Sequence, residues 1–227
     1  MLDGACRVDR LVDKASEMGF KSLAITDHGA MFGAINFYRV ARAKDIKPII
    51  GCEVYVAPGS RHEKKSGARG KEAYYHLVLL VKDETGYQNL VRLATAAQLV
   101  GAAQGMLDAA VAYAKQRSQF GTVIGTYQAI KHKLADVLIA VELARPLVYG
   151  AALSLADSSP DTARDVSAAK VAAADAALMS ARSALQTHGA IGFTAEHDLS
   201  LQLLRVQALR PAWGDPTWHR RRVLEAL

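Results

Sequence analysis

Cysteine is scarce in this chain of 227 residues, with only Cys6 and Cys52, both in the first quarter. Two cysteines without CxxC spacing exclude a disulfide framework and a thiolate-based zinc or redox centre, so reduced thiols in a cytoplasmic protein are expected. A long uncharged apolar run is also lacking. The most apolar window, "DVLIAVELARPLVYGAALSLAD", is interrupted by Glu142, Arg145 and Pro146. A membrane span needs about 20 such residues, so no membrane association is expected. No basic segment followed by an apolar core stands at the N-terminus, and no secretory leader is expected.

Hydrophobic residues make up 51% of the chain, enough for packed cores, and the formal net charge is +6. Lys and Arg are spread through both halves, with one dense stretch, "RHEKKSGARGK", at 61–71. Such a stretch reads as a solvated connection, and nucleic-acid binding is not expected from it. Composition shifts along the chain. Residues 1–95 hold eleven Ala and residues 96–227 hold thirty, which moves the second part toward pure helix.

The first part alternates helix and strand patterns. "VDRLVDKASEM" places Val8, Leu11, Val12, Ala15 and Met18 on one helical face, with Gly19 as the expected C-cap. "SLAIT", "KPIIGCEVYV" and "YYHLVLLV" are short apolar runs, the first two separated by helical "FGAINFYRVARAKD". This order predicts βαβ units with parallel strands. Asp27 and His28 follow "LAIT", Glu53 lies within the second run and His76 opens the third. Carboxylate oxygen and imidazole nitrogen at successive strand ends suit a divalent metal such as zinc, manganese or magnesium.

The stretch from "LDGACRVDRLVDKASEMGFKSLAITDHGA" to "IIGCEVYVAPG", continued by "YYHLVLLVKDETGYQNLVRL", resembles the polymerase and histidinol phosphatase (PHP) domain of the bacterial DNA polymerase III alpha subunit over about residues 2–94. The resemblance implies a distorted β/α barrel with a metal cluster, and carries Asp3, His28, Glu53 and His76 over as ligands. The family's HxH pair just before the LDGA motif and its later ligands have no counterpart here. An incomplete barrel holding one ion, rather than a three-metal cluster, is therefore expected.

From Gln98 the periodicity is helical. Leu99, Ala103, Met106, Ala110 and Tyr113 form one stripe, and further helices are expected at about 127–157, with a kink at Pro146, at 161–188, capped by Ser159 or Asp161, and at 198–210. Long helices with short connections predict an up-and-down bundle. Arg117, Gln119 and a Gly-containing turn between helices offer donors to phosphate, and Gly189 and Gly192 permit close approach after a long helix.

"RSQFGTVIGTYQAIKHKLAD" and "QTHGAIGFTAEHD" are similar to two motifs of the C-terminal helical domain of acyl-CoA dehydrogenases, and the likeness covers about residues 98–222. By that resemblance Arg117, Gln119 and Phe120 contact FAD, and Gln186, Gly189 and Gly192 approach the same FAD from a neighbouring subunit. It implies a homo-oligomer, a weak or half FAD site, and acyl-CoA as a partner of the parent enzyme. Where many members carry a catalytic Glu, "PAWGDPTW" has Trp213, so no catalytic residue is assigned.

The chain therefore reads as a chimera. A truncated α/β segment at 1–95, an incomplete PHP-type barrel, is followed by an all-α bundle at 96–227, with catalysis by the intact chain not expected. Three functions stay open: a flavin-contacting and oligomerisation module, a divalent-metal phosphoesterase or polymerase-associated segment, and a non-catalytic scaffold. Across the junction, "LVRLATAAQLVGAAQG" has no Pro and an apolar stripe of Leu90, Leu93, Ala97, Val100 and Leu107, so a continuous helix from Glu84 to Arg117 is expected.

Overall fold

A computed structural model describes residues 6–56, 75–194 and 197–227. Asp3 and the basic stretch at 61–71 lie outside the described residues. The chain divides into two compact units, Met1–Leu90 and Val91–Leu227.

In the first unit, α1 (Val8–Glu17), β1 (Ser22–His28), α2 (Ala34–Ala43), β2 (Lys47–Val56) and β3 (Tyr75–Leu80) follow one another. The apolar face of α1 buries Val12 and Ala15, while Met18, expected on that face, is exposed beyond the helix end. Gly19 at φ +75° closes α1, and the Phe20 amide donates to the Ala15 carbonyl. The core joins Val12 and Ala15 to Phe37 and Ala41 of α2 and to Ile50 of β2. Each helix thus buries one stripe against the sheet, which is what its sequence period requires.

The sheet order is β1-β2-β3. β1 and β2 are parallel, joined through α2, as the βαβ reading predicts. β3 departs from the all-parallel expectation and runs antiparallel to β2. A parallel return needs a crossover, usually a helix with an apolar face, whereas residues 57–74 are rich in Gly and charge and offer no such face. Gly51 sits where the strands crowd: a Cβ there would lie 2.6 Å from the Leu79 carbonyl oxygen. Among the described residues the sheet is open, with no closed barrel.

α3 runs from Glu84 to Gln116 without a break, about 50 Å at the usual rise, through Gly86, Gly101 and Gly105. This agrees with the expected continuous helix. Its residues to Leu90 fall in the first unit and those from Val91 in the second. Ala97, expected in the buried stripe, is exposed, and Ala96 is buried in its place.

The second unit continues with a two-residue ladder between β4 (Ser118–Gln119) and β5 (Thr122–Val123), then α4 (Gln128–Ala156), α5 (Thr162–His188), α6 (Leu199–Leu209) and α7 (Pro216–Leu224). α4 passes through Pro146 as one helix. α5 packs on α4, α6 and α7, and buries a row of small residues including Ala169, Ala173, Ala177, Ala181 and Ala184. α5 also meets α3, where the Ser180 hydroxyl donates to the Ala103 carbonyl at 2.7 Å. Alanines let helix backbones approach closely, so the composition shift is the packing rule of this unit. Asp161 stands at the α5 N-cap without a side-chain cap bond, and Ser159 Oγ accepts from the Asp161 amide instead.

α4 is apolar on two sides. Leu134, Val137, Val141, Ala144, Val148 and Ala151 are buried, whereas Leu138, Ile139, Leu143, Leu147 and Leu153 are exposed. Among the described residues α4 alone is long and apolar enough to cross a membrane by length and composition, despite the interruptions noted in its sequence.

Candidate metal centre and flavin-contact residues

Strand pairing brings three of the four expected metal ligands together. His28 ends β1 directly opposite Glu53 of β2 in the parallel register. Glu53 faces Val78 across the antiparallel pair and His76 faces Tyr55, so His76 is the diagonal neighbour of Glu53 on the same face. The Gly29 amide donates to the Glu53 carbonyl at 2.6 Å and ties the chain leaving β1 to β2 at this point. His28 Nδ1 lies 2.9 Å from Glu53 Oε1, and His76 Nδ1 bonds to the same oxygen. The two imidazoles meet edge to face, with centroids 6.3 Å apart.

The Glu53 side chain is 13% exposed, and the His28 and His76 side chains 36% and 37%, so the acceptor sits deeper than its two partners. The hydrogen bond from His76, followed by the charges of both histidines, holds the Glu53 carboxyl below the usual range against the opposing effect of desolvation.

These residues fit a divalent ion. The His28, Glu53 and His76 ligand atoms all lie within 4.8 Å of one another. Two nitrogens and one carboxylate oxygen are a borderline donor set that leaves further positions open. Asp3, the fourth expected ligand, lies outside the described residues. Asp27, although adjacent to His28, is committed elsewhere: its Oδ2 accepts from the Gly33 amide at 2.7 Å, at the start of α2. Cys52 is buried, and burial pushes its thiol pKa up, away from thiolate chemistry.

The expected flavin-contact residues form two groups. Arg117 follows the last turn of α3, Gln119 ends β4 opposite Thr122, and Phe120 opens the two-residue β4–β5 turn. Phe120 and Gly121 both have positive φ, 55° and 81°, the conformation of the tightest hairpin turns, and Phe120 is 93% exposed. A bulky residue held left-handed with its ring in solvent is strained without an internal packing reason. In the other group, Gln186 is exposed near the end of α5 and Gly189 closes that helix at φ +68°. Gly192 is buried, and a Cβ there would meet Leu185, Leu199 and His188 at 3.1–3.3 Å, so the close approach it permits is to its own chain.

The Tyr113 ring stacks on His188 with centroids 4.5 Å apart, which brings the C-terminal ends of α3 and α5 together. The His197 ring meets His188 edge to face, with centroids 5.0 Å apart. Both groups of flavin-contact residues therefore gather near one end of the bundle. Sequence reading missed this stack, although Tyr113 and His188 each adjoin a quoted motif. Trp213, at the position of the family's base, has positive φ and no acid function. Asp215 is engaged as the α7 cap: its Oδ1 accepts from the Thr217 and Trp218 amides at 2.7 and 2.9 Å, and these bonds lower its pKa.

The family model of the PHP domain matches residues 1–165. The chain is 50% identical over 101 residues to the DNA polymerase III subunit alpha of Treponema pallidum, a stretch covering 44% of this chain and 8% of that protein. Among solved structures, it is similar to the electron transferring flavoprotein of Acidaminococcus fermentans, at 32% identity and a TM-score of 0.59, over 61% of this chain and 36% of that one. It also shares the fold of butyryl-CoA dehydrogenase from Megasphaera elsdenii, at 23% identity and a TM-score of 0.59, over 78% of this chain and 55% of that one. The chain spans under a tenth of the curated relative's length and about a third to a half of the dehydrogenase-like structures. Polymerase-type relatives on the N-terminal side and dehydrogenase-like folds for the helices are what a chimera contains.

Proposed function

This chain belongs to the PHP domain family, and on that premise we propose that its first unit holds one divalent ion at His28, Glu53 and His76, while its helices act as an association module, without catalysis by the chain itself. The convergence of two imidazole nitrogens and one carboxylate oxygen within 4.8 Å carries this reading. When bound, the ion supplies Lewis acidity. Glu53, lying deepest, would orient the two histidines, and the open face would admit water or a phosphate oxygen. We assign residues 1–95 to the PHP-type segment and 96–227 to the dehydrogenase-type bundle, joined within α3.

Elemental analysis after dialysis against zinc or manganese tests the reading. One equivalent per chain, lost in His76→Ala, is expected, together with no phosphatase activity above a metal-free control. Two or more tightly held equivalents, or metal-dependent turnover of a phosphomonoester, would overturn it in favour of a complete phosphoesterase centre.

A second reading concerns the bundle as a half-site for FAD completed by another subunit. The Tyr113–His188 stack supports it, because it brings the Arg117–Gln119–Phe120 group near Gln186 and Gly189. The exposed apolar face of α4 supports self-association of the same helices. Light scattering that gives the monomer mass at all concentrations would end the oligomer reading. Acyl-CoA belongs to it only as the substrate class of the parent family.

A further inference from the structure

A cleft of about 710 Å³ opens in the first unit, in the size range of small-molecule sites. It lies at the start of β2, where Ile50, its lining residue nearest to Glu53, is three residues or about 10 Å away along an extended strand, and none of His28, Glu53 and His76 lines it. Ile35 and Tyr38 of α2, Ile49 of β2, and Val81 and Tyr87 beyond β3 make its walls apolar, with an aromatic ring from two different elements. Ile35 and Tyr38 are 65% and 52% exposed, so this apolar surface is not consumed by the core.

The charge around the cleft leans positive, with three cations against two carboxylates. Arg39, Lys47 and Lys82 line it, and none of them has a carboxylate partner among the described residues. The two acids at the rim are already engaged locally. Asp83 Oδ1 accepts from the Gly86 amide at 2.9 Å, and Glu84 Oε1 accepts from Gln88 Nε2 at 3.0 Å. An apolar trough whose edge carries three cations against two locally bonded carboxylates favours a molecule with an apolar body and a negative end. Two tyrosine rings favour a flat body over a branched one, because aromatic faces and edges pack against each other at specific offsets.

We propose that this cleft binds a small aromatic carboxylate, its ring between Tyr38 and Tyr87 and its anionic end toward Arg39, Lys47 and Lys82. The site is independent of the metal and flavin readings, and loss of either leaves it standing. Exposed cations are screened individually, so the head group adds selectivity and the buried ring supplies most of the affinity.

Three isosteric probes, 2-naphthoate, 2-naphthylmethanol and 2-naphthylmethylamine, titrated calorimetrically into the full chain at low salt, test the proposal. The carboxylate is expected to bind at least tenfold more tightly than the alcohol, and the amine more weakly than both. Lys47→Glu should cost the carboxylate at least fivefold and leave the alcohol unchanged. Ile35→Asp should weaken carboxylate and alcohol alike, and Lys131→Glu, on the other unit, should change nothing. Circular dichroism checks that each variant is folded; the substituted side chains are all exposed. Equal affinity for the three probes, no binding at millimolar probe, or a Lys47→Glu variant that binds the carboxylate as before would each overturn the assignment.

Discussion

Lys170 Nζ, on a side chain with no solvent exposure, donates to the backbone carbonyl of Arg210 at 2.9 Å, and also to that of Leu209 at 3.2 Å. Carbonyls at a helix C-terminus have no intrahelical donor, and this α5 lysine supplies one to the end of α6. Desolvation, with the nearby Arg210 charge, brings the Lys170 pKa down from 10.5 to about 8. The folded state therefore binds fewer protons than the unfolded state between those two values, so stability rises with pH from about 8 to 10.5. Lys170→Met should destabilise the bundle by about 1–3 kcal/mol through the orphaned carbonyls. Urea titrations of both proteins should show that cost growing from pH 8 to pH 10.

His219 behaves as an acid sensor of stability. It is fully buried, and desolvation followed by the charges of Lys170, Arg92 and Arg222 lowers its pKa from 6.5 to about 4. The unfolded state takes up the proton first, so this stability is complete above pH 6.5 and lost as pH falls toward 4, by roughly 3 kcal/mol. His219→Phe should flatten that part of the pH–stability curve and cost little at pH 7, since it replaces a wholly buried neutral ring by an apolar one.

Gly51→Ala tests the crowding between β2 and β3. Its new Cβ would stand 2.6 Å from a backbone oxygen, which cannot swing aside as a side chain can. A loss of about 1–3 kcal/mol in denaturant midpoint experiments is expected, confined to the unfolding of the first unit.

Glu53→Gln separates metal binding from mere folding of the sheet. The amide keeps the size and the hydrogen-bonding oxygen but loses the charge that attracts a cation between two imidazoles. Zinc affinity measured by competition with a chelating dye should fall by one to two orders of magnitude, while circular dichroism stays unchanged.

On the half-site reading proposed above, Arg117, Gln119 and Phe120 would address only one end of the cofactor, so flavin should bind weakly. The purified protein should be colourless. A stoichiometric yellow preparation would contradict the half-site reading.

Much of the helical part was legible in sequence because long Ala-rich runs with a 3.6 period and few breakers leave little choice. The run through Gly101 and Gly105 is an example, since two glycines cost about 1 kcal/mol each against many buried apolar contacts. The His28, Glu53 and His76 cluster was legible for a different reason: His28 followed one apolar run, Glu53 lay within the next and His76 opened the third, and the family resemblance joined them. The direction of β3 was not legible, since the alternation in "HLVLL" is the same read either way. α7 was missed because "PTWHRRRV" carries no apolar stripe, and its start depends on the Asp215 side chain capping two amides. Buried Lys170 and His219 were invisible for the same reason, as their burial comes from packing between helices distant in sequence.

The row of buried alanines in α5 sets an unusual mutational tolerance. In the first unit, Phe37 fills its place, and the harmful change is one that removes volume. Along α5, Ala169, Ala173, Ala177 and Ala184 are fully buried beside neighbouring helices, and the harmful change is one that adds it. Glycine or serine would be admitted there at small cost, while leucine or phenylalanine, hydrophobic as they are, would force the helices apart. A saturation library would thus divide the two units by the sign of the size effect.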